Sequence, residues 1–199
     1  MISDFITDNY IEIFGALTGI IYVFLEIRQN IWLWPVGIAT SAAYIWIFLN
    51  SGFYADMSLQ GYYLIISIVG WYWWLKGTGR ENHMNTEKKL QVSHIQLKTG
   101  IILAIIWLVL IFAMYQVLTK LTDSPVPVWD SFITSLSIIA TWMLARKIYE
   151  HWYLWIIVNF VSSFIFILKG LYPTTVLYII YGIMSIAGLF EWRKSFTHN

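Results

Sequence analysis

Apolar residues run through this chain in blocks of about twenty, separated by short polar breaks. A membrane helix needs about 20 mostly apolar residues to cross the hydrocarbon layer. Seven blocks qualify, at 9–28, 31–49, 55–76, 98–119, 127–147, 151–169 and 173–193. Pro35 breaks the second near its start, and Pro173 sits where a helix can begin without its N–H. The one strongly polar loop, KGTGRENHMNTEKKLQVSHIQLK, follows the third block. No stretch alternates apolar and polar residues over the roughly 10 positions of a barrel strand. The expectation is an all-α integral membrane protein with seven transmembrane helices.

The pattern also repeats. Residues 52–74 and 170–192 agree at nine of 23 positions with a constant offset of 118 and no gap. Gly52, Tyr63, Ser67, Gly70 and Trp74 recur as Gly170, Tyr181, Ser185, Gly188 and Trp192. Upstream, Leu17, Ile20 and Leu25 are matched to Leu136, Ile139 and Leu144 at an offset of 119, and Trp34 to Trp155 at 121. The block at 98–119 has no counterpart. A single unpaired crossing between two three-helix units puts them in the same orientation. The expected architecture is one membrane domain over 1–199, with repeats at 9–76 and 127–193 joined by the helix at 98–119. This is a 3+1+3 parallel repeat, and such carriers hold their substrate between the halves.

Composition narrows the function. The chain is 59% hydrophobic and 12% charged, against about 25% charged in soluble domains. The excess apolar surface therefore faces membrane lipid. Without cysteine, no disulfide or thiolate metal site can form. A net charge of +1 gives no reason to expect nucleic acid. MISDFITDNY has no positive n-region and is not expected to be a secretory signal. Arg28, Lys76, Arg80, Lys88, Lys89, Lys98, Arg146, Lys147, Arg193 and Lys194 fall on one side of the seven spans, Lys120 and Lys169 on the other. The positive-inside rule then puts the N-terminus outside and the C-terminus in the cytoplasm.

Polar groups inside a bilayer usually point into the bundle. Five helical faces carry them: Trp34, Gly37, Ser41, Tyr44 and Phe48; Asp56, Gln60, Tyr63, Ser67 and Trp74; Asp130, Thr134, Ser137 and Thr141; Trp152, Trp155, Asn159, Ser162 and Phe166; and Tyr178, Tyr181, Ser185, Gly188 and Trp192. Ser163 joins the fourth as a further site residue. Gln60 and Asn159 are amides one to two turns inside their spans, where they serve either a substrate or a helix-to-helix hydrogen bond. The small residues serve helix packing equally well. Asp56 and Asp130 stand at the outer ends, where they attract a cation or cap helix N-termini. With aromatic faces beyond them, a flat cationic heterocycle is favoured over an anion. No acid, His, Lys or Arg lies near the middle of any span, and no phosphate-binding loop is present, so passive facilitation is the simplest mechanism. Neither HExxH nor GxSxG occurs, so no catalytic residue, metal or cofactor is expected.

The run WLWPVGIATSAAY, GFYADMSLQGYY and GWYWW, with VPVWDSF, WMLARK and HWYLWIIVN in the second half, resembles the Pnu-type vitamin transporters. The likeness extends from about residue 10 to 193. It implies facilitated diffusion of an unphosphorylated B vitamin across a bacterial inner membrane, with trapping by a cytoplasmic vitamin kinase. It implies that Trp152, Trp155 and Asn159 bind substrate, with Gln60 beside them, and that the protein is a homo-oligomer, trimers being seen in the family. The second half looks closer to the thiamine-type branch. Val176-Leu177-Tyr178 stands where riboside-type relatives often place an acid or amide. The expectation is thiamine, with nicotinamide riboside as the alternative and a small sugar facilitator as a remote one.

Overall fold

The computed structural model describes residues 10–51, 54–77, 90–122 and 124–196. Seven helices follow in order: α1 (Tyr10–Ile27), α2 (Leu33–Ser51), α3 (Tyr54–Lys76), α4 (Leu97–Leu121), α5 (Pro127–Ala145), α6 (His151–Leu168) and α7 (Tyr172–Arg193). A short 3-10 turn, Lys194–Phe196, ends the described chain. Among the described residues the only sheet-like pairing is the bridge between Ser93 and Ile148. The helices coincide with the seven apolar blocks to within a few residues. Among the described side chains α2 and α4 to α7 are long and apolar enough to cross a membrane on composition alone, and α3 is not among them. At 23 residues α3 spans about 34 Å. Its tyrosines, tryptophans and Gln60 dilute its hydropathy because that helix lines the interior.

Six helices close a ring. α1 packs on α2 and α7, α3 on α2 and α5, and α6 on α5 and α7. Exchanging α1, α2 and α3 for α5, α6 and α7 reproduces the same set of pairings. α4 stands outside the ring and touches only α5 among these helices. Ile101, Ile105, Leu108, Val109 and Phe112 on α4 are exposed. Such a surface is at ease only in hydrocarbon.

Two turns set the register of the halves. After α1, Gln29 sits at φ 50°; after α5, Lys147 sits at φ 50°. Gln29 and Asn30 donate backbone hydrogen bonds to Glu26 and Leu25; Lys147 and Ile148 donate to Leu144 and Met143. These are matching helix C-terminal turns in which the last carbonyls are satisfied by a left-handed residue. Their offset is 118, the same as in the downstream match. Glycine packing agrees. A Cβ on Gly70 would crowd the Trp34 ring, and one on Gly188 would crowd Trp152. The counterpart of Trp34 is therefore Trp152, not Trp155. The offsets of 119 and 121 assigned upstream are corrected to 118, with Leu25 matching Met143. Leucine-rich helices align almost as well one residue out of step, and the turns remove that ambiguity.

The end of the bundle rich in basic residues is firmly closed. Trp34 meets Trp74 edge-on at 5.4 Å, Trp152 meets Trp192 at 5.8 Å, and Trp74 and Trp192 lie 6.5 Å apart. The Lys147 ammonium sits 4.2 Å from the Trp74 ring centre and donates to Gln29 Oε1 at 3.4 Å. The segment before α4 docks here as well. Ser93 pairs with Lys147 and Tyr149 through its backbone, and Glu150 accepts from the Ile95 N–H while pairing with His94 at 2.8 Å.

Candidate functional site

The ring surrounds a half-open cavity of about 310 Å³. Every helix except α4 contributes to its wall. α1 supplies Gly15, Thr18, Gly19, Tyr22, Val23 and Glu26, an i, i+3, i+4 stripe running about 16 Å along its axis. Gln60, Tyr63 and Ser67 come from α3, Trp152, Trp155 and Asn159 from α6, and Tyr178, Tyr181 and Ser185 from α7. Gly37, Thr40 and Ser41 of α2, with Ser137 and Thr141 of α5, complete the polar lining.

Tyr63 and Tyr181, and Ser67 and Ser185, face the cavity as pairs related by the offset of 118. Elsewhere the pairs diverge. Gly37 stands opposite Trp155, Ser41 opposite Asn159, Gln60 opposite Tyr178, Gly19 opposite Ser137 and Val23 opposite Thr141. These divergent positions give the cavity an aromatic, amide-bearing wall on α6. An asymmetric molecule would read that difference.

Hydrogen bonding fixes the polar groups of the α6 wall. Trp152 is fully buried, and no described residue accepts from its indole Nε1 or from that of Trp155. A buried donor without a partner costs about 1–3 kcal/mol, and the Trp34, Trp74 and Trp107 indoles away from the cavity are left in the same state, so this feature does not set the α6 wall apart. Asn159 donates through Nδ2 to Ser185 Oγ at 3.1 Å, and Ser185 donates to the Tyr181 carbonyl at 2.8 Å. The Asn159 amide is thereby held at the wall. Ser163 donates to the Asn159 carbonyl at 2.8 Å, which ties it to the backbone of α6 outside the lining.

Of the expected site residues, Gln60, Tyr63, Trp152, Trp155, Asn159, Tyr178 and Tyr181 line the cavity. Trp34 does not; it is sealed in the closed end against Gly70 and Trp74. Tyr44 is not among the lining residues, although its hydroxyl packs against Gly15, which is. Asp130 accepts from Ser124 Oγ at 2.5 Å and lies 3.7 Å from Lys169 Nζ, at the first turn of α5. No side chain caps this helix, and Asp130 is not among the cavity-lining residues. The Asp56 side chain lies outside the described residues.

Two residues went unrecognised in the sequence. Glu26 and His151 are 2% and 0% exposed, and Glu26 Oε1 lies 3.0 Å from His151 Nε2. Both do fall at helix ends, yet tertiary packing buries them beneath the cavity. Trp192 Nε1 donates to the Glu26 carbonyl at 3.0 Å. The α1 wall was also missed, because its signal is Gly15, Thr18, Gly19, Tyr22 and Glu26 at helical spacing, mostly small residues with little polar character.

A half-open, aromatic and hydroxyl-lined cavity at the centre of a lipid-facing helical ring defines a membrane carrier of small molecules. The family described as nicotinamide mononucleotide transporter matches residues 9–194, and the chain belongs to that family of Pnu-type vitamin transporters. It is 26% identical to the nicotinamide riboside transporter PnuC of Escherichia coli, over 94% of this chain and 86% of that one. It is 23% identical to the riboflavin/roseoflavin transporter RibM of Streptomyces davaonensis, over 91% and 83%. The crystal structure of the vitamin B3 transporter PnuC superposes with a TM-score of 0.74 at 21% identity, covering 99% of this chain and 86% of that one.

Proposed function

We propose that this chain carries nicotinamide riboside across a bacterial inner membrane by facilitated diffusion. The observation that supports this most directly is the α6 wall, where Trp152, Trp155 and the held Asn159 amide line a cavity of about 310 Å³. A pyridinium ring suits the aromatic faces through cation–π attraction, and ribose hydroxyls can pair with the Gln60 amide and the tyrosine hydroxyls of the wall. The Escherichia coli relative favours the riboside over thiamine, which the sequence had suggested. Thiamine remains the second reading because it too is a cationic ring with a hydroxyl-bearing arm.

In this reading the units 9–76 and 127–193 rock about α4, exposing the cavity to either side in turn. The exchangeable helix pairings and the two turns at offset 118 support it. The basic end faces the cytoplasm by the positive-inside rule. There a kinase phosphorylates the product and prevents its return. A homo-oligomer, a trimer by family resemblance, is the working assembly.

Binding of nicotinamide riboside and thiamine to the purified protein, followed side by side by tryptophan quenching, tests the substrate. Tighter binding of thiamine would reverse the order. Uptake into proteoliposomes that collapses when an ionophore removes the ion gradients would refute facilitated diffusion.

A further inference from the structure

Glu26 is the one carboxylate among the described residues lining the cavity, and its arrangement is specific. His151 Nδ1 lies 2.7 Å from the Ile148 carbonyl, which can only accept, so Nδ1 carries a hydrogen. Nε2 lies 3.0 Å from Glu26 Oε1. Two lone pairs would repel there, so one proton is shared between these atoms, and the pair is neutral overall whichever partner holds it. His151 is fully buried, and the Trp152 and Trp192 rings lie 4.7 Å from it, fixing its orientation. Glu26 Oε2 is different. No described residue hydrogen-bonds to it, yet the side chain belongs to the cavity wall. With its partner oxygen committed to His151, Oε2 is an acceptor left to the ligand. The corresponding position in the other half is Leu144, so this acceptor exists on one side only.

The geometry points to Glu26 as the specificity-determining residue of the cavity, accepting a hydrogen bond from an amide or amine N–H on the substrate's heterocycle and rejecting the carboxylate analogue. His151 is its positioning residue. This rests on the reading that the cavity carries a vitamin heterocycle. It adds which edge of that ring is recognised and by what. A carboxylate on the ligand would place oxygen against oxygen at Oε2, two acceptors with no hydrogen between them, where the amide or amine would donate.

The test measures dissociation constants for two pairs of probes, nicotinamide riboside with nicotinic acid riboside and thiamine with oxythiamine. Wild type, Glu26→Gln, Glu26→Leu, His151→Gln and His151→Leu are compared after gel filtration confirms that each is folded. The wild type is expected to prefer the member that carries the exocyclic NH2 group, nicotinamide riboside or thiamine, by about tenfold or more. Glu26→Leu should narrow that preference to about twofold or less while still binding the analogue. His151→Gln should keep more of it than His151→Leu, an effect on selectivity that a merely structural role would not give. A preference unchanged in Glu26→Leu, or equal loss of both members of a pair, overturns the assignment. If only thiamine binds and its preference over oxythiamine depends on Glu26, the riboside reading fails and this one stands. If nicotinamide riboside binds without dependence on Glu26, the reverse holds. Binding of neither pair refutes both.

Discussion

A methyl group added at Gly188 should damage the substrate site, while the same change at its counterpart Gly70 should not. A Cβ at Gly188 would meet the Trp152 indole, with even the third-nearest ring atom at 2.6 Å; at Gly70 the equivalent Trp34 atom would be 2.7 Å away. Ordinary contact begins near 3.4 Å, so each ring must retreat by about 1 Å. Both rings are fully buried, so neither can swing into open space. Overpacking of this kind costs about 1–3 kcal/mol. Gly70→Ala and Gly188→Ala should therefore lower the melting temperature in detergent by similar amounts. The difference lies in what each ring borders. Trp152 is part of the cavity wall and Trp34 is not. Displacing a binding group by about 1 Å readily costs tenfold or more in affinity. Nicotinamide riboside binding, followed by calorimetry so that tryptophan emission is not the readout, should fall about tenfold in Gly188→Ala and less than about threefold in Gly70→Ala. Equal losses in both variants, or wild-type affinity in Gly188→Ala, would refute the placement of the site.

Asn159→Ala should weaken binding by about tenfold while costing only about 1 kcal/mol of stability, since Ser185 keeps its bond to the Tyr181 carbonyl; an unchanged dissociation constant would remove Asn159 from the site. Asp130→Asn should leave affinity within about twofold and lower thermal stability slightly, because its partners are Ser124 and Lys169 at a helix start rather than the cavity. A tenfold loss of binding there would restore it as an entrance residue. Gly15→Ala should destabilise the protein by overlapping the Tyr44 hydroxyl. Adding Tyr44→Phe should recover part of the loss, since the nearest ring carbon would then sit 3.3 Å from the new methyl. No recovery in a double-mutant cycle would show that the two residues are not in contact.

Much of the fold was legible because hydrophobic block length alone determines where helices cross a bilayer. The later part of the repeat was readable too, since Tyr63 and Tyr181, or Gly188 and Gly70, are chemically distinctive. The first part misled because leucines in α1 and α5 are interchangeable to the eye. The basic pair Arg28 and Arg146, just before the left-handed turns, carried the true offset. The aromatic and amide wall on α3, α6 and α7 followed from helical spacing. Trp34 did not, because burial against a glycine and exposure to a cavity give the same pattern on a helix face. Glu26 and His151 are 125 positions apart, and nothing local in either helix end indicates that the ring will bring them together.

Lys147 reaching Gln29 has a consequence for how a duplicated chain can seal itself. These two residues occupy the same position in the two segments, and they touch each other. Two identical subunits assembled about a two-fold axis would be obliged to present identical groups at such a contact. Lysine against lysine at about 4 Å would cost on the order of 4 kcal/mol at an effective dielectric of 20. Covalent fusion lifts that obligation. One copy can donate and the other accept, so a self-repelling junction becomes a complementary clasp.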